Sequence, residues 1–332
     1  MTDIIRPAHP PILISGCPRS GTTFCGQIVA AAPSVFEIYE PFNHDFTYHL
    51  DLPTKFFRIT PNNESAYIER FNRMMRLASL HERIKMLPRG GIDRILPNRD
   101  MTAALSLKKL VEERSSFTSA NRLSIKDPIA FYSAEWLAKA YGTRVVMMVR
   151  HPGGVVSSFL SLGWEAETRY IVDHRLPLSG GKFDDEIAAW RRNRDDKVGA
   201  AILQWKLFTQ ATLDYQKLHP DWFFALHDQL CVEPVAVFRK MFKAIDLPFT
   251  PEIEARILAD TGASNVVDPS QHTQHNLQRE SASLKDSWKK RLDQPVIDRI
   301  LEETSDLWNE AQAAFTLPAN DTDETFDERA TG

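Results

Sequence analysis

The ten residues Ser15–Phe24, SGCPRSGTTF, carry Gly16 and Gly21 at the spacing of a phosphate-binding loop. The frame G-x-x-x-x-G-K-[ST] is met except at its lysine. Thr22 and Thr23 stand where Lys and Ser/Thr belong, and an arginine, Arg19, lies inside the loop. Backbone N–H groups of a glycine loop at a helix N-terminus bind an anion whatever side chains surround them. The lysine of such a loop grips the β- and γ-phosphates of a triphosphate, and its hydroxyl neighbour holds magnesium. Without that lysine the loop suits a single phosphate, bound by the backbone around Ser20 and Gly21 and by the hydroxyls of Thr22 and Thr23. Arg19 is then left to face a second anionic group. A chance glycine turn before an ordinary helix is the plain alternative.

A second stretch, RHPGGVVSS over Arg150–Ser158, follows the strongest apolar run in the chain, RVVMMVR. Open parallel sheets bind ligands at the C-terminal ends of their strands. Arg150 at such an end can pair bidentately with a phosphate. Ser158, eight residues on and inside the next helix, adds a hydroxyl. An arginine there on its own reads equally as a surface ion pair; its combination with PRSGTT makes the pattern specific.

These residues need strands ending in glycine turns and helices beginning there. PILIS (Pro11–Ser15) reads as a buried strand and Thr22–Ala32 as the helix after the loop. VFEIY (Val35–Tyr39), LSIKDP (Leu123–Pro128), RVVMMVR (Arg144–Arg150) and WFFAL (Trp222–Leu226) are further strand candidates. Helical stretches fall at 64–86, at YSAEWLAKAYG, at Asp184–Leu218, at PVAVFRKMFKAI with its proline at the first position, and at PVIDRILEETSDLWNEA. This alternation predicts an α/β, three-layer, P-loop-like fold: a central parallel sheet with helices on both faces. The organisation expected is one domain over 1–318, with helical insertions at about 45–120 and 161–220. A disordered acidic tail is expected at 319–332.

Composition narrows the function class. Of 332 residues, 43% are hydrophobic and 25% charged, which fits an ordinary globular chain. Net charge is −4 and the sequence pI is about 6.2, so no global basic character points to nucleic acid. Cys17, Cys25 and Cys231 form neither a disulfide framework nor a C-x-x-C metal pattern, in keeping with a reducing compartment. No apolar run approaches the roughly 18 residues of a membrane span. The N-terminal stretch lacks the pattern of a signal peptide. A cytoplasmic protein is expected.

The two motifs together resemble the sulfotransferases that use 3′-phosphoadenosine 5′-phosphosulfate as donor. In that family a P-[RK]-[ST]-G-[TS]-[TS] loop holds the 5′-phosphosulfate, and PRSGTT (Pro18–Thr23) matches it. An arginine and a serine eight residues later hold the 3′-phosphate, as Arg150 and Ser158 would here. The donor carries one 5′-phosphate bonded to sulfate, which accounts for a cradle without lysine or magnesium, and no metal is expected. The motifs lie nearest the carbohydrate and protein-tyrosine sulfotransferases. AAPSVFEIYEPFNH (Ala31–His44) is similar to the segment whose glutamate before proline is the catalytic base, which implies that role for Glu40. IKDP (Ile125–Pro128) resembles a strand end whose lysine stabilises the transferring sulfuryl group, which implies that role for Lys126. The resemblance runs from about Pro11 to Phe249 and includes ALHDQLCVEPVAVFRKMFKAIDLPF, although His227 and Gln229 depart from the family's Tyr-Glu-Asp-Leu.

The implied reaction is in-line transfer of a sulfuryl group to an acceptor hydroxyl. Glu40 acts as general base, while Arg19, Lys126 and the loop amides meet the developing charge. A carboxylate beside Arg19 is expected to keep a low pKa, and a structural Glu40–Arg19 pair is the alternative. YEPFNH tilts the acceptor toward a sugar hydroxyl on a glycan or glycolipid, with a phenol or tyrosine hydroxyl as the other choice. A P-loop kinase-like phosphotransferase is a rival reading, against which the missing lysine counts. A degenerate nucleotide-binding module is another, against which the intact set Arg19, Glu40, Lys126, Arg150 and Ser158 counts.

Three departures from the family stand out. Gly153 and Gly154 occupy positions where many relatives carry a cation. No membrane anchor like that of the carbohydrate enzymes is expected, and the C-terminal G-x-x-G-x-x-K motif is not found in this sequence. SLKDSWKKRL (Ser283–Leu292), through Lys285, Lys289 or Lys290, is a substitute for that motif or simply a solvated basic face. His44 is an alternative base or an acceptor contact, His151 a turn residue near Arg150, and Trp164 an acceptor-stacking residue or a loop anchor. His272 and His275 lack a third ligand pattern for a metal. Trp190, Trp205 and Met74–Met75 read as packing residues.

Overall fold

The structure is a computed structural model that describes residues 3–45, 49–83, 120–164, 166–174, 181–262 and 285–318. Its strands are β1 (Ile12–Gly16), β2 (Val35–Tyr39), β3 (Arg122–Lys126), β4 (Arg144–Val149) and β5 (Phe223–Leu226). They form one sheet in the order β2-β3-β1-β4-β5, and every pairing is parallel. The helices are α1 (Thr22–Ala30), α2 (Ile68–Met75), α3 (Ala134–Tyr141), α4 (Pro152–Ser161), α5 (Thr168–His174), α6 (Asp184–Arg192), α7 (Lys197–Leu218), α8 (His227–Val232), α9 (Pro234–Ala244), α10 (Pro251–Thr261) and α11 (Gln294–Phe315).

The period-2 alternation of a strand sorts the core into two. Ile12, Ile14, Val146, Met148, Phe223 and Ala225 face one side, where they pack on Ile28 and Val29 of α1, Phe238 and Met241 of α9 and Ile257 of α10. Leu13, Ile125, Val145, Met147, Val149 and Phe224 face the other, against Phe71 of α2, Leu137 of α3, Trp205 and Phe208 of α7 and Trp308 of α11. Sheet strands buried on both faces read as continuous apolar runs, which is why RVVMMVR stands out in the sequence. The result is the expected three-layer α/β architecture.

Because all five strands are parallel, the turns after β1, β2, β3 and β4 emerge at one edge of the sheet. Gly16 ends β1 opposite Met148. A Cβ there would lie 2.3 Å from the Met148 carbonyl oxygen, so only glycine lets the loop leave the sheet so close to β4. Asp184–Leu218, read as one or two helices, is two, α6 and α7, with Asp196 capping the second through the Gly199 N–H. The long loop expected around Pro88–Asp100, the residues His272 and His275, and the tail 319–332 lie outside the described residues.

Candidate active site

The loop after β1 opens directly into α1, whose N-cap is Gly21 at φ +95° with no side-chain cap. The first N–H groups of a helix have no intrahelical acceptor, so those of Thr22, Thr23 and Phe24 are offered outward with the positive end of the helix dipole. The Ser20 hydroxyl is buried and finds no hydrogen-bond partner among the described residues. Gly21 is doubly constrained. Its backbone is left-handed, and a Cβ would lie 2.6 Å from Cδ2 of His227, which packs beneath the loop. An uncapped helix start, an orphaned buried hydroxyl and a glycine cradle fit a bound anion such as the donor's 5′-phosphate.

Arg19 is one of two non-glycine predicted site residues with positive φ, at +74°. Its Nε donates to the Ser158 hydroxyl at 2.8 Å, and its guanidinium lies 5.3 Å from the centre of the Trp164 ring. Arg150 Nη1 donates to the Arg19 carbonyl at 3.0 Å. Trp205, read from the sequence as a packing residue, also donates its indole N–H to the Arg150 carbonyl at 2.8 Å. Burial pushes the Arg150 guanidinium down to about 10, with Arg19 and Arg291 adding like charge against the nearby acids. A cation kept in low dielectric beside other cations is a ready anion partner.

The structure revises the expected partner of Glu40. Lys126 Nζ donates to Glu40 Oε1 at 2.5 Å, and Asn43 Nδ2 donates to Oε2 at 3.0 Å. Arg19 turns instead toward Ser158 and Trp164. The reason is topological: β2 and β3 are neighbours, with Tyr39 in register with Lys126, so Glu40 emerges beside the lysine. Lys126 is 1% exposed and Glu40 12%, which makes this a buried ion pair. Burial works against the ammonium charge, but Glu40 and Tyr39 outweigh it and hold Lys126 above its ordinary range. Its Nζ also sits 3.8 Å from the centre of the Tyr39 ring. Burial holds the Tyr39 hydroxyl above its ordinary value, against the opposing influence of Lys126 and Thr23, so Tyr39 lies between the loop after β1 and the Lys126–Glu40 pair. Glu40 has φ +45°, a backbone conformation that costs a non-glycine residue on the order of 1–3 kcal/mol and persists only where the surroundings over-determine it.

The two glycines that replace the relatives' cation have a steric cause. A Cβ on Gly153 would lie 2.5 Å from the Trp288 ring, and one on Gly154 would lie 2.6 Å from Arg150 Nε. Trp288 belongs to a short 3-10 turn, Ser287–Lys290, within SLKDSWKKRL. It stacks on His151 at 4.7 Å and 19°. His151 caps α4 by accepting the Gly153 N–H, and burial pushes it down to about 4. The C-terminal stretch therefore reaches the Arg150 corner, while Lys289 itself pairs with Asp286 at 2.6 Å. His44 is exposed and lies 5.9 Å from His49, centre to centre.

Sequence reading missed Asp127, Asn43, Trp288 and the position of His227 under Gly21. Asp127 and Asn43 flank residues already singled out, and a buried acid before proline at a strand end was the available signal. Among the described residues, no group of three His, Cys, Asp or Glu side chains could hold a metal, and no helix is long and apolar enough to cross a membrane.

A parallel α/β sheet that gathers an uncapped helix start, three basic side chains and a buried carboxylate at one edge defines a group-transfer type of fold and site. The model of the sulfotransferase family matches residues 10–251, and the chain belongs to that family. Among solved structures, the sulfotransferase domain of the Synechococcus PCC 7002 olefin synthase shares 16% identity, covering 96% of this chain and 99% of its own, with a TM-score of 0.46. The sulfotransferase domain from the curacin biosynthetic pathway shares 17% identity over 94% of this chain and all of its own, at 0.46. A sulfotransferase from Alicyclobacillus acidocaldarius shares 13%, covering 94% and 98%, at 0.44. Among curated proteins no match is found.

Proposed function

We propose that the chain moves a sulfuryl group from 3′-phosphoadenosine 5′-phosphosulfate to an acceptor hydroxyl of a carbohydrate or glycoconjugate. The observation that carries this is the junction of the two anion motifs, Arg19 Nε on Ser158 Oγ and Arg150 Nη1 on the Arg19 carbonyl. It supports the reading because it joins the loop after β1 to Arg150 and Ser158. Ser20, Gly21, Thr22 and Thr23 hold the 5′ end; Arg150 and Ser158 hold the 3′-phosphate. The donor, when bound, supplies the activated sulfuryl group.

Glu40 takes the proton of the acceptor hydroxyl on its carboxylate, a role supported by its place beside the loop. Lys126 orients that carboxylate and contributes positive charge where the sulfuryl oxygens gather it. Arg19 steadies the leaving phosphate side. Calorimetric titration with adenosine 3′,5′-bisphosphate, against ATP with magnesium, tests the reading. Micromolar binding of the bisphosphate without magnesium supports it. Magnesium-dependent ATP binding with silence toward the bisphosphate overturns it and favours a kinase.

A further inference from the structure

A second carboxylate stands beside Glu40 and takes no part in the transfer just described. Asp127 follows Lys126 in IKDP and is fully buried. Its Oδ2 accepts the Phe42 N–H at 2.7 Å. Its Oδ1 accepts the N–H groups of Ile129 at 2.8 Å and Ala130 at 3.3 Å. Its own N–H donates to the Ile14 carbonyl at 3.0 Å, and its carbonyl accepts the Ser15 hydroxyl at 2.8 Å. One residue therefore ties the turn after β2 to the turn after β3, and its backbone ties both to β1.

The turn after β2 carries Glu40 in its left-handed conformation. The Glu40 N–H donates to the Lys126 carbonyl at 2.9 Å, and the Asn43 N–H to the Glu40 carbonyl at 3.0 Å. Pro41 lies between Glu40 and the Phe42 amide and has no N–H to give. The Asp127–Phe42 bond is thus the next anchor along the chain after the strained residue. Burial, with the Glu40 charge, pushes Asp127 up to about 8, yet both of its oxygens accept backbone N–H groups; asparagine, with one acceptor and an NH₂, serves one side and opposes the other.

We propose that Asp127 is a positioning residue for Glu40: its carboxylate fixes the Pro41–Phe42 turn and so aims the Glu40 carboxylate at the acceptor hydroxyl. This rests on Glu40 as the base. A misplacement of the reacting group by about 1 Å can cost a hundredfold in rate. Asp127→Asn keeps the side-chain volume and removes one tether.

The test uses the full chain, adenosine 3′,5′-bisphosphate as binding probe, and a simple alkyl glycoside with the phosphosulfate donor as surrogate reaction. For Asp127→Asn the expected result is a fall in kcat of about ten- to a hundredfold, with donor KM and bisphosphate affinity unchanged and faster amide exchange at residues 40–43. Combining it with Glu40→Gln should add no further loss, because the two act as a unit. Losses that multiply, or unchanged exchange at 40–43, overturn the proposal. Should Asp127→Asn fail to fold, wild-type amide exchange decides. Protection of the Phe42 amide by about a hundredfold or more supports the tether, and exchange at the unprotected rate overturns it. Wild-type chain that does not bind the bisphosphate overturns the donor reading and the role together. Intact bisphosphate binding with an unprotected Phe42 amide overturns Asp127 alone.

Discussion

Arg19 Nε donates to the Ser158 hydroxyl at 2.8 Å, a bond that closes 139 residues of chain and joins the loop after β1 to α4. Arg19 is held in the left-handed region at φ +74°, so its side chain leaves the loop toward α4 rather than along it. The two halves of the proposed donor site are therefore mechanically one. Replacing Ser158 by Ala removes a hydroxyl and releases Arg19. Affinity for adenosine 3′,5′-bisphosphate should fall about tenfold, as loss of one hydrogen bond to a charged group implies. Arg150→Ala should cost about a hundredfold or more. Adenosine 5′-phosphate, which lacks the 3′ group, should lose much less in both variants. Calorimetry on the three proteins with the two ligands decides this.

Glu40→Gln should separate binding from chemistry. With the base gone, turnover should drop by about a hundred- to ten-thousand-fold while the bisphosphate binds as before. Retained turnover would remove Glu40 from the mechanism.

Lys126→Ala tests the buried pair itself. It leaves Glu40, 12% exposed, without its cation. Removing one partner of a buried pair costs about 3–5 kcal/mol. Urea unfolding should show a loss of that size, and an unchanged midpoint would mean that the pair is far better solvated than its geometry indicates. The raised Lys126 gives the sign of the pH effect. Its contribution is fully present below the ordinary lysine value and is lost as pH rises through the higher folded value.

Restoring the relatives' cation should fail here. Gly153→Lys introduces a Cβ 2.5 Å from the Trp288 ring, in a stack that also holds His151. Overpacking of this kind costs about 1–3 kcal/mol. Thermal unfolding should report that loss, and Gly153→Lys combined with Trp288→Ala should recover part of it. Tighter donor binding with no loss of stability would mean that Trp288 is easily displaced.

His151 should act as an acid-labile joint. Its folded value of about 4 lies below its ordinary 6.5 because burial disfavours the imidazolium. The unfolded chain therefore binds the extra proton first, and this residue's stabilisation is lost as pH falls from about 6.5 to about 4. At about 1.4 kcal/mol per pKa unit, the loss is at most about 3 kcal/mol. Asparagine at 151 can still cap α4 but does not titrate. The stability gap between wild type and His151→Asn, followed by urea unfolding from pH 7 to pH 4, should close or reverse on acidification. A gap independent of pH would show that His151 takes up its proton as readily in the folded chain as in the unfolded one.

Much of the fold lies on the surface of the sequence. The strand PILIS, the glycine loop and the helix after it follow from an apolar run, two glycines at fixed spacing and a proline stop at Pro33. RVVMMVR announces a strand buried on both faces, and the order of strands and helices implies a parallel sheet. Arg19, Arg150 and Ser158, proposed to hold the donor, can be picked out from the sequence because the loop and the strand end are local motifs with fixed offsets. The partner of Glu40 is not legible. Glu40 and Lys126 are 86 residues apart, and whether Glu40 meets Arg19 or Lys126 depends on which strand lies beside β2.

The same division holds across the site. Local sequence determined the glycine loop, the helix start after it and the strand ends, because backbone geometry at a glycine turn and helix start needs no distant partner. Strand order, β2-β3-β1-β4-β5, was decided by tertiary packing, since parallel neighbours are chosen by sheet burial and crossover rather than by adjacency in the chain. That order pairs Lys126 with Glu40 and sets Asp127 under the Glu40 turn. The same packing brings Trp288, from far along the sequence, over Gly153, where it takes the space a side chain would need. Residue types and spacing specify what chemistry the chain carries; the sheet specifies which side chains meet, because only packing fixes contacts between segments so far apart.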